Sequence, residues 1–136
     1  MRITGLYAAL FALLVIGLAL RVMLLRRRNG LGLGDGGNRS VACAIRAHGN
    51  AAEYVPLALL LMLVLELNQT WPWLLHAFGI VLLLARLYHA QGLSKTPGSS
   101  PGRTVGAAAT LLVILAMALL LLWQYVAIHL LLPGLA

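Results

Sequence analysis

Four long apolar stretches, separated by short polar segments, constrain the fold of this sequence more than any other feature. In hydrocarbon each unpaired backbone group costs several kcal/mol, so a chain crosses a bilayer only as helices or as a closed barrel. Barrel strands alternate apolar and polar residues, whereas these stretches are continuously rich in Leu, Ala and Val. Each approaches or exceeds the roughly 20 residues that a helix needs to cross. The sequence therefore predicts an all-α integral membrane protein.

The predicted spans form one membrane domain that covers residues 1–136. The first apolar run continues directly into a run of arginines, so we expect a retained span and not a signal peptide, which needs a short apolar core and a cleavage site. Short connections at 29–40, 68–72 and 91–102 favour an antiparallel, up-down four-helix bundle. We place the spans at about 3–25, 41–67, 73–90 and 104–132.

The distribution of basic residues predicts the orientation of the spans. The chain carries 10 Lys and Arg against 3 Asp and Glu, a formal net charge of +7. All of these basic residues except Arg2 fall on the side of loops 29–40 and 91–102, and cytoplasmic loops carry an excess of Lys and Arg. We therefore expect both loops to be cytoplasmic, and both termini and the 68–72 turn to face outward. Because the basic residues flank spans and lack an interleaved aromatic platform, we expect no nucleic-acid partner.

Residues that could hold a metal or form a disulfide are scarce. Cys43 is the only cysteine, which excludes an intrachain disulfide. No grouping of Cys, His, Asp and Glu has the spacing of a zinc or iron–sulfur site, so we expect no metal. Glu66 and His76 lie near the 68–72 turn, where we expect both side chains to be solvated.

A stripe of polar side chains runs along the first half of the second span. At 100° per residue, Arg46, Asn50 and Glu53 fall within about 60° of one another, and Tyr54 lies beside them. Arg46 can clamp a carboxylate, Asn50 can donate and accept, and Glu53 can accept from an ammonium. Such a stripe suits a zwitterionic, peptide-like ligand. The alternative is that these residues pair with other helices only to hold the bundle together.

Two further polar residues lie on the third span, near the same end of the bundle. Arg86 and His89 are three residues apart and share a helix face. Arg86 is a candidate partner for Glu53 or Glu66. His89 is either a ligand-binding residue or a residue at the membrane interface, and the spacing does not decide between them.

Two sequence motifs resemble those of a known family. The string Arg46–Pro56, RAHGNAAEYVP, resembles the pattern Arg-x-x-x-Asn-x-x-Glu-Tyr-x-Pro of the MAPEG family, the membrane-associated proteins in eicosanoid and glutathione metabolism. The string Ala85–Gly92, ARLYHAQG, looks like the Ala-Arg-x-x-x-x-Gln-Gly stretch of the same family. The resemblance is greatest to small bacterial inner-membrane members. It implies a homotrimer of four-helix subunits that holds glutathione between subunits at the cytoplasmic side.

The resemblance also implies roles for individual residues. An arginine near the start of the last helix would stabilise the thiolate, and Arg103 is the candidate catalytic residue there. His89 and Leu93 stand where leukotriene synthases carry tyrosines, which is a departure from an eicosanoid-type site. The implied glutathione-binding residues, together with the two on the third span, are Arg26, Arg27, Arg46, Asn50, Glu53, Tyr54, Arg86 and His89.

These features favour a membrane protein that binds glutathione as ligand or co-substrate. It would act as a glutathione transferase or peroxidase on a lipophilic small molecule that enters from the lipid, and whether it is an enzyme is left open. The alternative is a non-catalytic scaffold on the same fold that binds a lipid headgroup or another anion. A small multidrug transporter would need a carboxylate in the first span, and this span has none.

Overall fold

The computed structural model describes residues 3–95 and 100–127. Within these residues the chain forms helices and no strand, which confirms the predicted all-α class. All four helices are long and apolar enough to cross a membrane. The helices are α1 (Ile3–Arg28), α2 (Arg39–Leu67), α3 (Pro72–Lys95) and α4 (Pro101–Val126).

The connection between α3 and α4 is shorter than the sequence suggested. We expected a loop over 91–102, but α3 continues to Lys95 and α4 begins at Pro101. The error came from Gly92, which belongs to a helix and serves packing, because a Cβ added there would lie 2.8 Å from the backbone nitrogen of Arg103. Proline is also favoured in the first helical turn, where its missing N–H has no partner to lose. The predicted end of the last span at 132 lies outside the described residues.

Small residues bring α3 and α4 into close contact. Gly102, Gly106 and Thr110 are spaced four residues apart on one face of α4, and all are buried. A Cβ added at Gly106 would lie 2.6 Å from the carbonyl oxygen of Ala85. Such a spacing of small residues lets the backbones of two membrane helices approach closely. As a result, side chains of α3 reach backbone carbonyls of α4.

Polar contacts join several helices at one end of the molecule, which we call the Glu66 end. The Glu66 carboxylate accepts from the backbone N–H groups of Ile3 and Thr4, the latter at 2.9 Å. The Tyr7 hydroxyl lies 3.0 Å from His76 Nδ1 and donates to the His76 carbonyl at 3.1 Å. We had expected Glu66 and His76 to be solvated, and this expectation is wrong, because both side chains contact other helices. The first N–H groups of a helix lack intrahelical partners and attract negative charge, so Glu66 acts as a cap from another helix.

The hydrophobic core lies between the helices, while many leucines remain on the outer surface. Leu13, Leu112 and Leu122 are each more than 60% exposed. Exposed apolar side chains in this number suit a lipid environment and not water. The buried core includes Tyr7, Phe11, Val55, Met62, Leu65, Leu75, Leu82 and Met117.

Candidate functional site

A cleft at the opposite end, which we call the arginine cleft, contains both Arg46 and Arg103. Its volume is about 420 Å³. The side chains come from the 29–38 connection, the first turns of α2, the end of α3 and the start of α4. The lining residues are Asp35, Arg39, Ala42, Cys43, Ile45, Arg46, Leu93 and Arg103.

Positive charge dominates the arginine cleft. Three guanidinium groups, of Arg39, Arg46 and Arg103, line it against the single carboxylate of Asp35. The cleft therefore favours an anionic ligand.

Arg39 was expected only to contribute to the positive charge of the cytoplasmic side. Arg39 precedes Arg46 by seven residues, which is two helical turns, so both side chains point to one face of α2. The spacing could have identified Arg39 as an extension of the polar stripe. The helix start that places it is set by Asn38, whose side chain accepts from the backbone N–H groups of Ser40 and Val41. Such an N-cap is a common helix start.

Arg86 is buried between three helices and does not have the partners that we expected. It is 3% exposed, and its guanidinium donates to the carbonyl of Asn50 at 3.5 Å and to that of Gly106 at 3.2 Å. The guanidinium carbon also lies 5.6 Å from the centroid of the Tyr54 ring, a cation–π contact. The expected pairing of Arg86 with Glu53 or Glu66 is wrong. Close packing at Gly106 instead exposes carbonyls of α4 to this side chain.

His89 lies inside the bundle, one helical turn before Leu93 of the cleft lining. It is 6% exposed, and its Nδ1 is 3.0 Å from the carbonyl oxygen of Arg103. His89 therefore contacts the backbone of a cleft residue without lining the cleft itself. Within one chain the ring therefore lies neither in the cleft nor at a solvated surface.

The other candidate residues lie outside the arginine cleft of the single chain. The Asn50 amide donates to the carbonyl of Arg46 in its own helix at 3.0 Å. Glu53 is exposed on α2. At the end of α1, Arg26 donates to the Gly34 carbonyl at 3.1 Å, and Arg27 is exposed. One chain thus brings Arg46 and Arg103 together but leaves these four residues apart from them.

A second depression, which we call the apolar groove, lies along α3 and α4. Its volume is about 300 Å³. Apolar side chains, one tyrosine and one glycine form its wall, so it suits a hydrocarbon chain or an aromatic ring. The lining residues are Val81, Leu84, Ala85, Tyr88, Val105, Gly106 and Ala109.

Metal ligation finds no support in the described part of the chain. Within residues 3–95 and 100–127, no group of three or more His, Cys, Asp or Glu side chains could hold a metal ion. The reactive groups that line the arginine cleft are three guanidinium groups, one carboxylate and the thiol of Cys43.

Comparison with known proteins places the chain in a family. The model of the MAPEG family matches residues 4–123. Inner membrane protein YecN of Escherichia coli strain K12 is 41% identical over 121 residues, which cover 89% of this chain and 91% of YecN. YecN of Escherichia coli O6:H1 strain CFT073 matches to the same extent. No solved structure matches the chain significantly. The sequence motifs had predicted this result, and the chain belongs to the MAPEG family.

Proposed function

We propose that this chain binds glutathione, or a related thiol, in the arginine cleft. The observation that carries the proposal is the convergence of Arg46 and Arg103, from two different helices, on one cleft of about 420 Å³. That volume falls within the range of roughly 300–1,000 Å³ found for small-molecule sites. Glutathione carries two carboxylates, and guanidinium groups bind carboxylates through two parallel hydrogen bonds. Membership in the MAPEG family supports the same ligand.

The remaining candidate residues fit the proposal if three copies assemble. Glu53 is a charged, exposed side chain on a membrane-spanning helix, and leaving such a group in contact with lipid costs a few kcal/mol or more. In a homotrimer, Glu53 and Tyr54 of one subunit would face the neighbouring subunit. Arg26 or Arg27 of that neighbour would then reach the bound peptide. The family resemblance supports this assembly.

The proposed chemistry requires only an activated thiol and a lipophilic electrophile. A guanidinium beside the sulfur favours the thiolate, which is the nucleophile. Arg103 would stabilise the thiolate while Arg46 holds a carboxylate of the peptide. In a transferase reaction, the sulfur forms a bond to an electrophilic carbon as the leaving group departs with its electron pair. The apolar groove would admit such a substrate from the lipid.

A second candidate function is non-catalytic binding of an anionic headgroup. The observation that favours it is the excess of three arginines over one carboxylate in the arginine cleft, which suits a phosphate. Glu53, the residue proposed to accept from an ammonium, is not among the lining residues of the single chain. In this case the headgroup would occupy the cleft and an acyl chain the apolar groove.

A glutathione titration of the purified chain in mild detergent tests these proposals. We expect saturable binding, with native mass measurement showing three chains per complex. A chlorinated aromatic electrophile should then give the glutathione conjugate. Binding without conjugation would favour a binding protein, and displacement of glutathione by phospholipid but not by neutral lipid would favour the headgroup. A monomer that still binds glutathione would contradict the intersubunit site.

The orientation in the membrane follows from the charge distribution. We propose that the arginine cleft faces the cytoplasm of a bacterial inner membrane and that the helices run up and down. Contacts among the start of α1, the end of α2 and the start of α3 at the Glu66 end support this order. A reporter active only in the periplasm should therefore give signal at the C-terminus and none within 30–37. The reverse pattern would place the cleft in the wrong compartment.

Replacing Arg103 should change the chemistry of the thiol more than its binding. In Arg103→Ala we expect the pKa of the bound glutathione thiol to rise towards the free value of about 8.5, because the stabilising charge is lost. Conjugation at neutral pH should slow in proportion to the lost thiolate. Thiolate absorbance in the ultraviolet, followed across pH, measures this pKa. An unchanged titration would show that another group, such as Arg26 or Arg27, activates the thiol.

A further inference from the structure

We infer that His89 is a positioning residue that holds Arg103 at the edge of the arginine cleft, an inference that rests on the proposed role of Arg103. The imidazole Nδ1 lies 3.0 Å from the Arg103 carbonyl oxygen. A carbonyl oxygen can only accept, so Nδ1 carries a hydrogen and donates it. The bond joins α3 to the backbone of the residue whose side chain lines the cleft.

The surroundings of His89 leave the imidazole little freedom to move. The residue is 6% exposed, and a Cβ added at Gly106 would lie 2.7 Å from the His89 Cβ. The His89 side chain therefore packs closely against the α4 backbone, an approach that Gly102 and Gly106 allow. Because packed interiors resist small displacements, a donor fixed in this way also fixes its acceptor.

The hydrogen bond from His89 affects the position of Arg103 because Arg103 lies at the start of its helix. Arg103 lies in the first turn of α4, where its backbone N–H donates to the Ser100 carbonyl at 3.0 Å. The first turn of a helix has fewer backbone hydrogen bonds than the interior, so it is more easily displaced. Arg86 donates to the Gly106 carbonyl one turn later, whereas His89 donates to the carbonyl of Arg103 itself. Small shifts of this turn would move the guanidinium within the cleft.

The remaining nitrogen of His89 agrees with a role that is not ligand binding. With the hydrogen on Nδ1, the neutral ring has an acceptor at Nε2. This atom is buried and has no hydrogen-bond partner within the described residues. A second hydrogen there would bury a positive charge that has no hydrogen-bond partner in the described part of the chain, which is costly. The geometry thus favours a neutral ring that serves as a donor to the backbone.

Three substitutions at one position separate this role from a general packing role. His89→Leu keeps a side chain of similar size and removes the donor. His89→Asn keeps an N–H donor at the δ position, whereas His89→Gln moves the donor one bond further out. Heteronuclear NMR of the arginine side chains reports on Arg103 directly, with its signal assigned by its loss in Arg103→Lys. We expect His89→Leu and His89→Gln to shift this signal, His89→Asn to return it towards the wild-type position, and the Arg28 signal to stay in place.

Titration of the bound thiol provides the second arm of the test. In His89→Leu we expect the pKa of the bound glutathione thiol to rise, because the displaced Arg103 guanidinium stabilises the thiolate less, while the Kd for glutathione changes little. The same substitution should have no further effect on this pKa in Arg103→Ala, because the side chain that it positions is absent, but should add its full effect in Arg46→Ala. An unmoved Arg103 signal in folded His89→Leu, or an equal rise of the thiol pKa in both backgrounds, would overturn the inference. If His89→Leu does not fold, His89→Gln replaces it. If the wild-type chain binds no glutathione, the proposed function fails while the NMR signal still decides this inference.

Discussion

Replacing Arg46 with alanine is expected to weaken glutathione binding by roughly tenfold or more. The substitution removes a charge-assisted contact that is worth about 1.5–3 kcal/mol when a guanidinium holds a carboxylate through two hydrogen bonds. Arg46 lines the arginine cleft and is exposed, so truncating its side chain should enlarge the cleft without disturbing the hydrophobic core. Titration of the purified protein with glutathione in mild detergent measures the change in Kd.

Two control substitutions separate a specific clamp by Arg46 from a general effect of positive charge. Arg46→Lys should recover only part of the affinity, because an ammonium group cannot reproduce the planar fork of a guanidinium. Arg28→Ala removes the same charge from the same end of the molecule, but Arg28 is exposed and does not line the cleft. This substitution should change Kd only slightly, and the change should become smaller at higher salt, because salt screens exposed charges. Equal losses in Arg28→Ala and Arg46→Ala would mean that the net charge of this end, and not a clamp, attracts the ligand.

The fold was predictable because one physical requirement decides it. A chain in hydrocarbon must pair all of its backbone groups within each span, so the length and composition of the apolar stretches are sufficient to place helices. The beginnings of α1 and α2 therefore differ from the predicted spans by two residues at most. The α3–α4 connection was predicted wrongly because glycine occurs both in turns and at close helix contacts. In a turn, glycine allows a positive φ, whereas Gly92 lies within α3 and lets this helix pack closely against α4.

Parts of the candidate site were predictable, and other parts depend on distances that a sequence does not contain. Arg46 could be found from the polar stripe and the family motif, and Arg39 from its spacing to Arg46. The partners of Arg86 and His89 are backbone carbonyls of α4, at Gly106 and Arg103. Every helical residue has such a carbonyl, so no sequence pattern indicates which one is used. The choice follows from how closely α3 and α4 approach.

The close approach of α3 and α4 thus connects the stability of the bundle with the geometry of the cleft. The glycines of α4 let Arg86 and His89 reach its backbone, and the second of these contacts acts on Arg103. In this chain the interhelical contact and the candidate catalytic residue are therefore coupled through one ring.

Gly106→Ala is expected to destabilise the bundle, although alanine is the better helix former. The added Cβ would lie 2.6 Å from the Ala85 carbonyl oxygen and 2.9 Å from the His89 backbone nitrogen, so the two helices would have to separate. Overpacking of this kind costs about 1–3 kcal/mol, against a gain of up to about 1 kcal/mol in helix propensity. The hydrogen bond from Arg86 to the Gly106 carbonyl should weaken as the helices separate. Unfolding in detergent at a fixed protein concentration measures the net loss.

Gly17→Ala is the matched control for this substitution. Gly17 also lies within a membrane-spanning helix, α1, but a Cβ added there meets nothing within 4 Å. It should therefore leave the free energy of unfolding unchanged or raise it by up to about 1 kcal/mol, since only the helix propensity changes. Gly106→Ala should in addition shift the Arg103 side-chain signal, because displaced helices carry the first turn of α4 with them. If both substitutions stabilise the protein equally, α3 and α4 do not pack through Gly106, and the contacts that hold Arg103 in the cleft lose their structural basis.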